Sequence, residues 1–365
     1  MEQFINTTKP ISENNNLLGG GVNSHSVFEK IISLDNLFSA WKEFKKGKTN
    51  KLDVQEFEFN LEENIFQLYN DLKNNRYKHG PYLAFYVRDP KLRHIHKALV
   101  RDRLFHHAVF RTLYQIFDKG FVYDSYSCRL GGGTHLAVNR LEKFARKLSR
   151  NNHRTIYALK CDIRKFFDSV DKEILFRIIK RKIKDNESLR LISIILNSFY
   201  KETGKGLPLG NVASQLFANI YLNELDQFVK HSLKVRYYLR YCDDFIILGQ
   251  NKQYLLWLID KLANFLGEKL NLHLHENKII IRKHRQGIDF LGYVILPYHR
   301  VIRMKTRKRI INKIIGKREE FDGHLISQES SRHSLNSYLG VFSHCNGYEL
   351  EKEVIWLSGL AEVEF

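Results

Sequence analysis

The chain has 365 residues, 43% hydrophobic and 13% aromatic, which excludes a disordered protein and leaves room for two or three sub-domains. Lys and Arg number 59 against 40 Asp and Glu, a formal +19 that points to a polyanionic partner, nucleic acid first. No apolar run reaches the length of a membrane span, the start lacks a signal-peptide pattern, and the four scattered cysteines form no Cys-x-x-Cys pair; the expectation is a reduced, cytosolic chain with no membrane partner, structural zinc or disulfide framework.

Residues 1–30 are rich in Asn, Ser and Gly and read as a flexible arm. Apolar spacing predicts helices over Leu34–Lys45 and Phe59–Leu72. Tyr82–Arg88 reads as a strand, Asp89-Pro90 as a turn, and Lys91–Ile95 as the returning strand. Arg101–Phe117 is a long helix. Asp102 stands one turn before His106, the spacing of a metal pair, but with no further ligand in view His106 and His107 read as packing and surface residues. Gly131-Gly132-Gly133-Thr134-His135 precedes another helix; the choice there is between a phosphate cradle and an ordinary turn.

Thr155–Cys161 is an apolar strand that ends at Asp162. Asp168 and Ser169 are placed as the cap of a helix over Lys172–Ile183. Leu189–Phe199 is helical, Gly206–Gly210 is a loop, and Asn211 opens a helix over Val212–Val229. Val235–Arg240 and Phe245–Gly249 are strands around Tyr241-Cys242-Asp243-Asp244, so two aspartates fall at the tip of a tight hairpin. A helix over Tyr254–Leu270 and strands at Lys278–Ile281, Phe290–Val294 and His299–Ile302 follow. From Lys305 the chain is basic and helical.

Adjacent carboxylates at a turn repel each other, and a divalent cation relieves that repulsion. Asp is also simply a turn former, so the pair gains meaning only from a partner. Laying the strand that ends in Asp162 beside the hairpin supplies one. Three carboxylates from two strands can hold two Mg²⁺ ions about 4 Å apart, the arrangement of in-line phosphoryl transfer.

In this order and spacing the motifs resemble those of a prokaryotic reverse transcriptase, over about Trp41 to Tyr348. Asp162-Ile163-Arg164-Lys165-Phe166-Phe167 is similar to the first metal motif, and Tyr241-Cys242-Asp243-Asp244 to Tyr-x-Asp-Asp. Gly206–Asn211 resembles the template-and-nucleotide loop, Phe290–Tyr293 the motif that closes on the primer, and Asp89–Arg93 the hairpin that grips triphosphate. Val100–Arg103 and Ser125–His135 resemble further fingers segments. The resemblance implies an α+β right-hand fold: fingers over 31–119, remaining fingers and palm over 120–296, and a helical thumb over 297–365.

It also implies roles. Asp162, Asp243 and Asp244 would be catalytic and, with Ile163, hold the metal, two Mg²⁺ with Mn²⁺ as a substitute. Phe167 would be a steric gate under the sugar, or core packing like Phe166. Lys91 and Arg93 would contact triphosphate, or be a solvated turn. Leu209 would lie by the nucleotide. Ser214 and Gln215 would contact nucleotide or template, or pack their helix. Arg101 and Arg103 would bind template backbone or line a helix surface. Tyr241 and Gly292 would meet template or primer, and the basic run Arg303–Lys317 the duplex minor groove. The partners implied are template RNA, a cDNA or primer strand and dNTPs.

Leu209-Gly210, where many reverse transcriptases have Gln-Gly, followed by Asn211-Val212-Ala213-Ser214-Gln215, is similar to the enzymes of diversity-generating retroelements. Those copy RNA with errors at adenines and work with a small basic accessory protein. The same short architecture also occurs in retron-type and phage-defence enzymes, and an inactive polymerase fold that binds RNA is the alternative of a different class. The group is bacterial or phage-encoded.

Overall fold

The computed structural model describes residues 26–88 and 91–360. The arm over residues 1–25 and the Asp89-Pro90 turn lie outside them. The first two helices start at side-chain caps. Ser26 accepts from the Glu29 amide and opens α1 (Val27–Ile32); Ser33 accepts from the Asn36 amide and opens α2 (Leu34–Phe44). Residues 27–30, expected within a flexible arm, are helical, because Ile31 and Ile32 are buried and draw the chain into a helix.

α3 (Leu52–Phe59) and α4 (Leu61–Lys73) replace the single helix expected from Phe59. α4 buries Ile65, Leu68 and Leu72, as the spacing predicts; α3 buries Val54 and leaves Leu52 and Phe59 exposed, so it has no apolar stripe to read. β1 (Tyr82–Arg88) and β2 (Leu92–Ala98) form an antiparallel hairpin with Tyr82 opposite Ala98. α5 (Val100–Phe117) is the helix on which α1, α2 and α3 pack, with Leu104, Phe105, Ala108, Val109 and Leu113 buried.

α6 (Thr134–Leu148) leads to β3 (Tyr157–Asp162). A short α7 (Phe166–Ser169) contains the Asp168 and Ser169 expected to cap the next helix. Asp171 caps α8 (Lys172–Lys182) instead, accepting from the Ile174 amide, a correction of three residues. α9 (Asn186–Asn197), α10 (Val212–Gln227), β4 (Tyr238–Tyr241), β5 (Asp244–Gly249) and α11 (Lys252–Leu270) follow. β6 (Ile280–Lys283) starts two residues later than expected because Glu276–Lys278 wind into a 3-10 turn.

The expected strand Phe290–Val294 is broken into β7 (Ile288–Phe290) and β8 (Tyr293–Ile295), which pair antiparallel. Leu291 and Gly292 turn between them with φ of +50° and +90°. A two-residue hairpin turn of this kind needs positive φ at both central positions; Gly292 supplies one freely, whereas Leu291 hides the signal inside an apolar run. β9 (Arg300–Ile302) pairs with β8, and α12 (Met304–Asp322), α13 (Gln328–Phe342) and α14 (Tyr348–Ser358) end the described chain.

The main sheet runs β4-β5-β3-β6, antiparallel throughout. It lies between two cores. Tyr238, Phe245, Ile247, Leu159 and Cys161 point into the first, with α5, α8, α9, α10 and α11. Leu239, Ile246, Leu248 and Ala158 point into the second, with α6, β7–β9 and α12–α14. The α+β class expected from the sequence is the one observed. Among the described residues no helix is long and apolar enough to cross a membrane.

Candidate active site

β3 and β5 pair in a register that places Asp162 opposite Asp244. β4 and β5 pair so that Tyr241 faces Asp244, leaving Cys242 and Asp243 as the turn. Cys242 takes φ +56°, the left-handed conformation a tight antiparallel turn requires. The Ile163 amide donates to the Asp243 carbonyl at 3.2 Å, and the His275 amide to the Asp162 carbonyl at 2.8 Å. The backbone under all three carboxylates is therefore tied across two strands and a loop.

Two lysines enter this cluster. Lys278 Nζ lies 2.7 Å from Asp162 Oδ1, and Lys160 Nζ 3.2 Å from Asp244 Oδ2. Two ammonium groups against three carboxylates leave an excess of negative charge. Burial pushes the Asp244 carboxyl up to about 6, with Lys160 opposing and Asp162 and Asp243 reinforcing the rise; Asp243 is raised by burial and by Asp162. Asp244 Oδ1 is buried with no hydrogen-bond partner. With the side chains so placed, no group of three His, Cys, Asp or Glu closes around a metal position among the described residues. The donor set nonetheless fits a hard divalent cation: carboxylate oxygens, one of them unpartnered, in an under-neutralised cleft.

Phe166 and Phe167 separate by burial. Phe166 is in the core; Phe167 is half-buried, its ring edge-on to Phe166 at 5.4 Å, and its carbonyl takes the Leu207 amide at 2.7 Å. Phe167 lines a small cleft with Gln215 and Cys242. Gln215 is buried and its Oε1 has no partner, so its side chain is not spent on capping. Ser214 is buried in α10. Leu209 is half-buried in a loop docked on β2: the His96 amide donates to the Leu209 carbonyl at 3.1 Å, and Asn211 Nδ2 to the His96 carbonyl at 3.0 Å. Lys91 and Arg93 are exposed at the far end of the β1–β2 hairpin. Tyr241 is half-buried beside the turn, and Gly292 sits in the β7–β8 turn with its carbonyl taking the Arg303 amide at 2.9 Å.

Arg101 and Arg103 are not brought to this cleft. Arg101 pairs with Asp71 at 2.5 Å, and Arg103 with Asp53 at 2.5 Å while lying over the Phe44 ring. Acids on α3 and α4 outside the recognised motifs pair with both guanidinium groups. Asp102 and His106 are engaged inside the protein, in line with the packing reading of His106. Asp102 is buried and accepts from the Tyr77 hydroxyl at 2.6 Å and the Gly80 amide at 3.0 Å, while His106 Nε2 meets His79 Nε2 at 3.1 Å. His107 packs against Phe44, and burial lowers its imidazole to about 3. The glycine loop is an ordinary turn: the Gly132 and Gly133 amides donate to the Arg129 and Tyr126 carbonyls. In the basic run, Arg303 pairs with Asp289 and Arg307 with Glu353, while Lys305 and Lys308 are exposed.

Sequence reasoning missed Lys160, Lys278 and Arg240. Arg240 had a signal: it shares a strand face with Tyr238, so the alternation turns a charge inward. Its carboxylate partner, Asp226, is fully buried on α10.

A family profile described as reverse transcriptase (RNA-dependent DNA polymerase) matches residues 87–295. The group II intron-encoded protein LtrA of Lactococcus lactis subsp. cremoris is 28% identical over 76% of this chain and 56% of its own. The retron Ec83 reverse transcriptase of Escherichia coli is 24% identical over 46% of this chain and 56% of its own. The chain thus spans little more than half the length of these curated relatives. Apo telomerase from Candida tropicalis, truncated from the C-terminal domain, superposes with a TM-score of 0.48 at 17% identity, over 61% of this chain and 55% of that one.

Proposed function

The chain belongs to the reverse transcriptase family, whose right-hand fold its helices and antiparallel sheets take, and from that premise we propose that it is an RNA-directed DNA polymerase, making cDNA from an RNA template and dNTPs. The observation that carries this reading is the register that sets Asp162 against Asp244 beside Asp243. Asp162, Asp243 and Asp244, with Ile163 beside them, would hold divalent metal, Mg²⁺ or Mn²⁺. Such ions, when bound, supply activation of the primer 3′-hydroxyl and neutralisation of the leaving pyrophosphate.

The chain's own residues do the rest. The three carboxylates would share one metal site, where their half-buried setting limits screening of their charge by water. Phe167 forms the floor under the incoming sugar. Lys91 and Arg93, on the hairpin of the fingers, meet the triphosphate. Leu209 and Gln215 border the base pair from the loop and from α10. Tyr241 and the Gly292 turn support the primer end, and exposed Lys305 and Lys308 face the duplex from the thumb. Fingers over 31–119, palm over 120–296 and thumb over 297–365 remain the division proposed.

Primer extension on an RNA template, with and without Mg²⁺, is the test. Metal-dependent cDNA supports the reading. RNA binding with no extension under either condition would make the chain an inactive scaffold.

Leu209 supports a finer proposal: an error-prone enzyme of the diversity-generating type, with a small basic accessory protein. Leu can offer only apolar contact where Gln could hydrogen-bond and restrain the correct pair. Losing roughly 1–2 kcal/mol of discrimination means about five- to thirtyfold more errors. Sequencing cDNA from a mixed-base template should show misincorporation concentrated opposite adenine, reduced in Leu209→Gln while synthesis continues. Uniformly low error at all four bases would favour a retron-type or phage-defence enzyme.

A further inference from the structure

Arg240 is 1% exposed and Asp226 0%, a charged pair taken wholly out of water one strand below the aspartate turn. The guanidinium is bidentate: Nε to Asp226 Oδ1 at 2.8 Å and Nη2 to Asp226 Oδ2 at 2.7 Å. Nη2 also donates to Ser125 Oγ at 2.9 Å. Nη1 donates to Asn219 Oδ1 at 3.3 Å and to the Cys242 carbonyl at 2.9 Å. A guanidinium has five N–H donors, and all five are used here. Asp226 is completed by the Tyr238 hydroxyl at 2.5 Å.

The backbone of Arg240 is fixed as well. Its amide donates to the Asp124 carbonyl at 2.9 Å, and its carbonyl takes the Tyr126 amide at 3.0 Å. Asp124 is held in turn by Arg140 at 2.8 Å and Lys230 at 3.1 Å. Arg240 thus joins α10, the 124–126 segment and the turn through one rigid planar group.

A buried ion pair of this kind adds little net stability over well-packed apolar residues, because desolvation offsets the attraction. What it does add is direction. The Cys242 carbonyl belongs to the residue at φ +56° that immediately precedes Asp243. A donor aimed at that carbonyl from below fixes the peptide plane from which the Asp243 backbone departs.

We propose that Arg240, oriented by Asp226, is a positioning residue for Asp243 and Asp244, holding the turn so that both carboxylates present to one metal site. This rests on the polymerase reading. Lysine could keep the charge but not the fork: a single ammonium cannot span Asp226, Ser125 and Cys242 in fixed directions.

The test uses the full chain with two variants, Arg240→Lys and the apolar replacement Arg240→Met/Asp226→Leu/Tyr238→Phe. Measured are the melting temperature, single-nucleotide extension (kcat and the KM for dNTP), and Mn²⁺ binding by the loss of its free-ion electron paramagnetic resonance signal. The folded apolar variant should lose about a hundredfold in kcat, the usual consequence of an approximately 1 Å misplacement, and Arg240→Lys less, with the KM for dNTP changed less than about threefold in both. Mn²⁺ binding should weaken about tenfold. Arg240→Lys should retain more kcat than the apolar variant. Folded variants with wild-type kcat and Mn²⁺ affinity, or a loss of activity matched by the unfolded fraction, would overturn the inference while leaving the polymerase reading intact. Wild-type protein that neither extends a primer nor binds Mn²⁺ would overturn both.

Discussion

Asp243→Asn and Asp162→Asn should each abolish cDNA synthesis, by about a thousandfold or more, in protein that stays folded and still binds RNA. Either change would remove one of the three proposed metal-holding carboxylates, and losing a ligand that stabilises the transferring phosphoryl group would cost about 4 kcal/mol or more of transition-state stabilisation. At Asp243 folding should not suffer, because its buried carboxylate opposes it. Burial raises both Asp243 and Asp244, so their ionised forms are disfavoured in the folded state. The cost of ionising Asp244 is absent below its unfolded value near 3.8, grows as pH rises, and is complete above about 6. Asp244→Asn should therefore melt at a higher temperature than the wild type at pH 8, and the difference should shrink toward pH 4. Extension within tenfold of wild type by Asp162→Asn or Asp243→Asn, or a lower melting temperature for Asp244→Asn at pH 8, would contradict this assignment of charge.

Phe167→Ala should admit ribonucleotides. Both rings border the cleft with Gln215 and Cys242, but Phe166 is buried in the core, where truncation costs about 3–5 kcal/mol, while Phe167 is half-buried. As the proposed gate, the ring would close space that a 2′-hydroxyl needs. Discrimination against one extra group in a pocket is worth about 1–3 kcal/mol, so the rNTP/dNTP ratio of kcat/KM should rise about 5- to 150-fold. Competing rNTP and dNTP incorporation on one primer measures it. An unchanged ratio in an active variant would reduce Phe167 to a packing residue.

Much of this was legible because the signals are local. Tyr82–Arg88, Tyr254–Leu270 and the 238–249 hairpin follow from periodicity and turn chemistry, and the register opposing Asp162 to Asp244 follows from placing two such strands together. What escaped was set by residues distant in sequence. Arg103 pairs with Asp53, 50 residues earlier, and nothing near Arg103 announces it. Lys278 reaches Asp162 across 116 residues, and nothing near either one announces the pair. α3 escaped for the opposite reason: with Val54 as its buried residue, it is helical by tertiary context rather than by pattern. The β7–β8 turn escaped because Leu291 occupies a conformation that composition assigns to glycine or asparagine.

The alternation along β5 constrains how the chain can change over time. Phe245 and Ile247 serve one core, and Ile246 and Leu248 the other. A sheet with one wet face can absorb a slipped residue by wetting the wrong side chains; this one has no wet face to offer. Inserting or deleting a single residue between Tyr238 and Gly249 would exchange the occupants of both cores at once and rotate Asp244 away from Asp162. Descendants of this sequence can lengthen at the exposed turn near Asn151 or in the connection before α13. Within the hairpin they can substitute but not count differently, so its length is inherited as a unit with the carboxylates it carries.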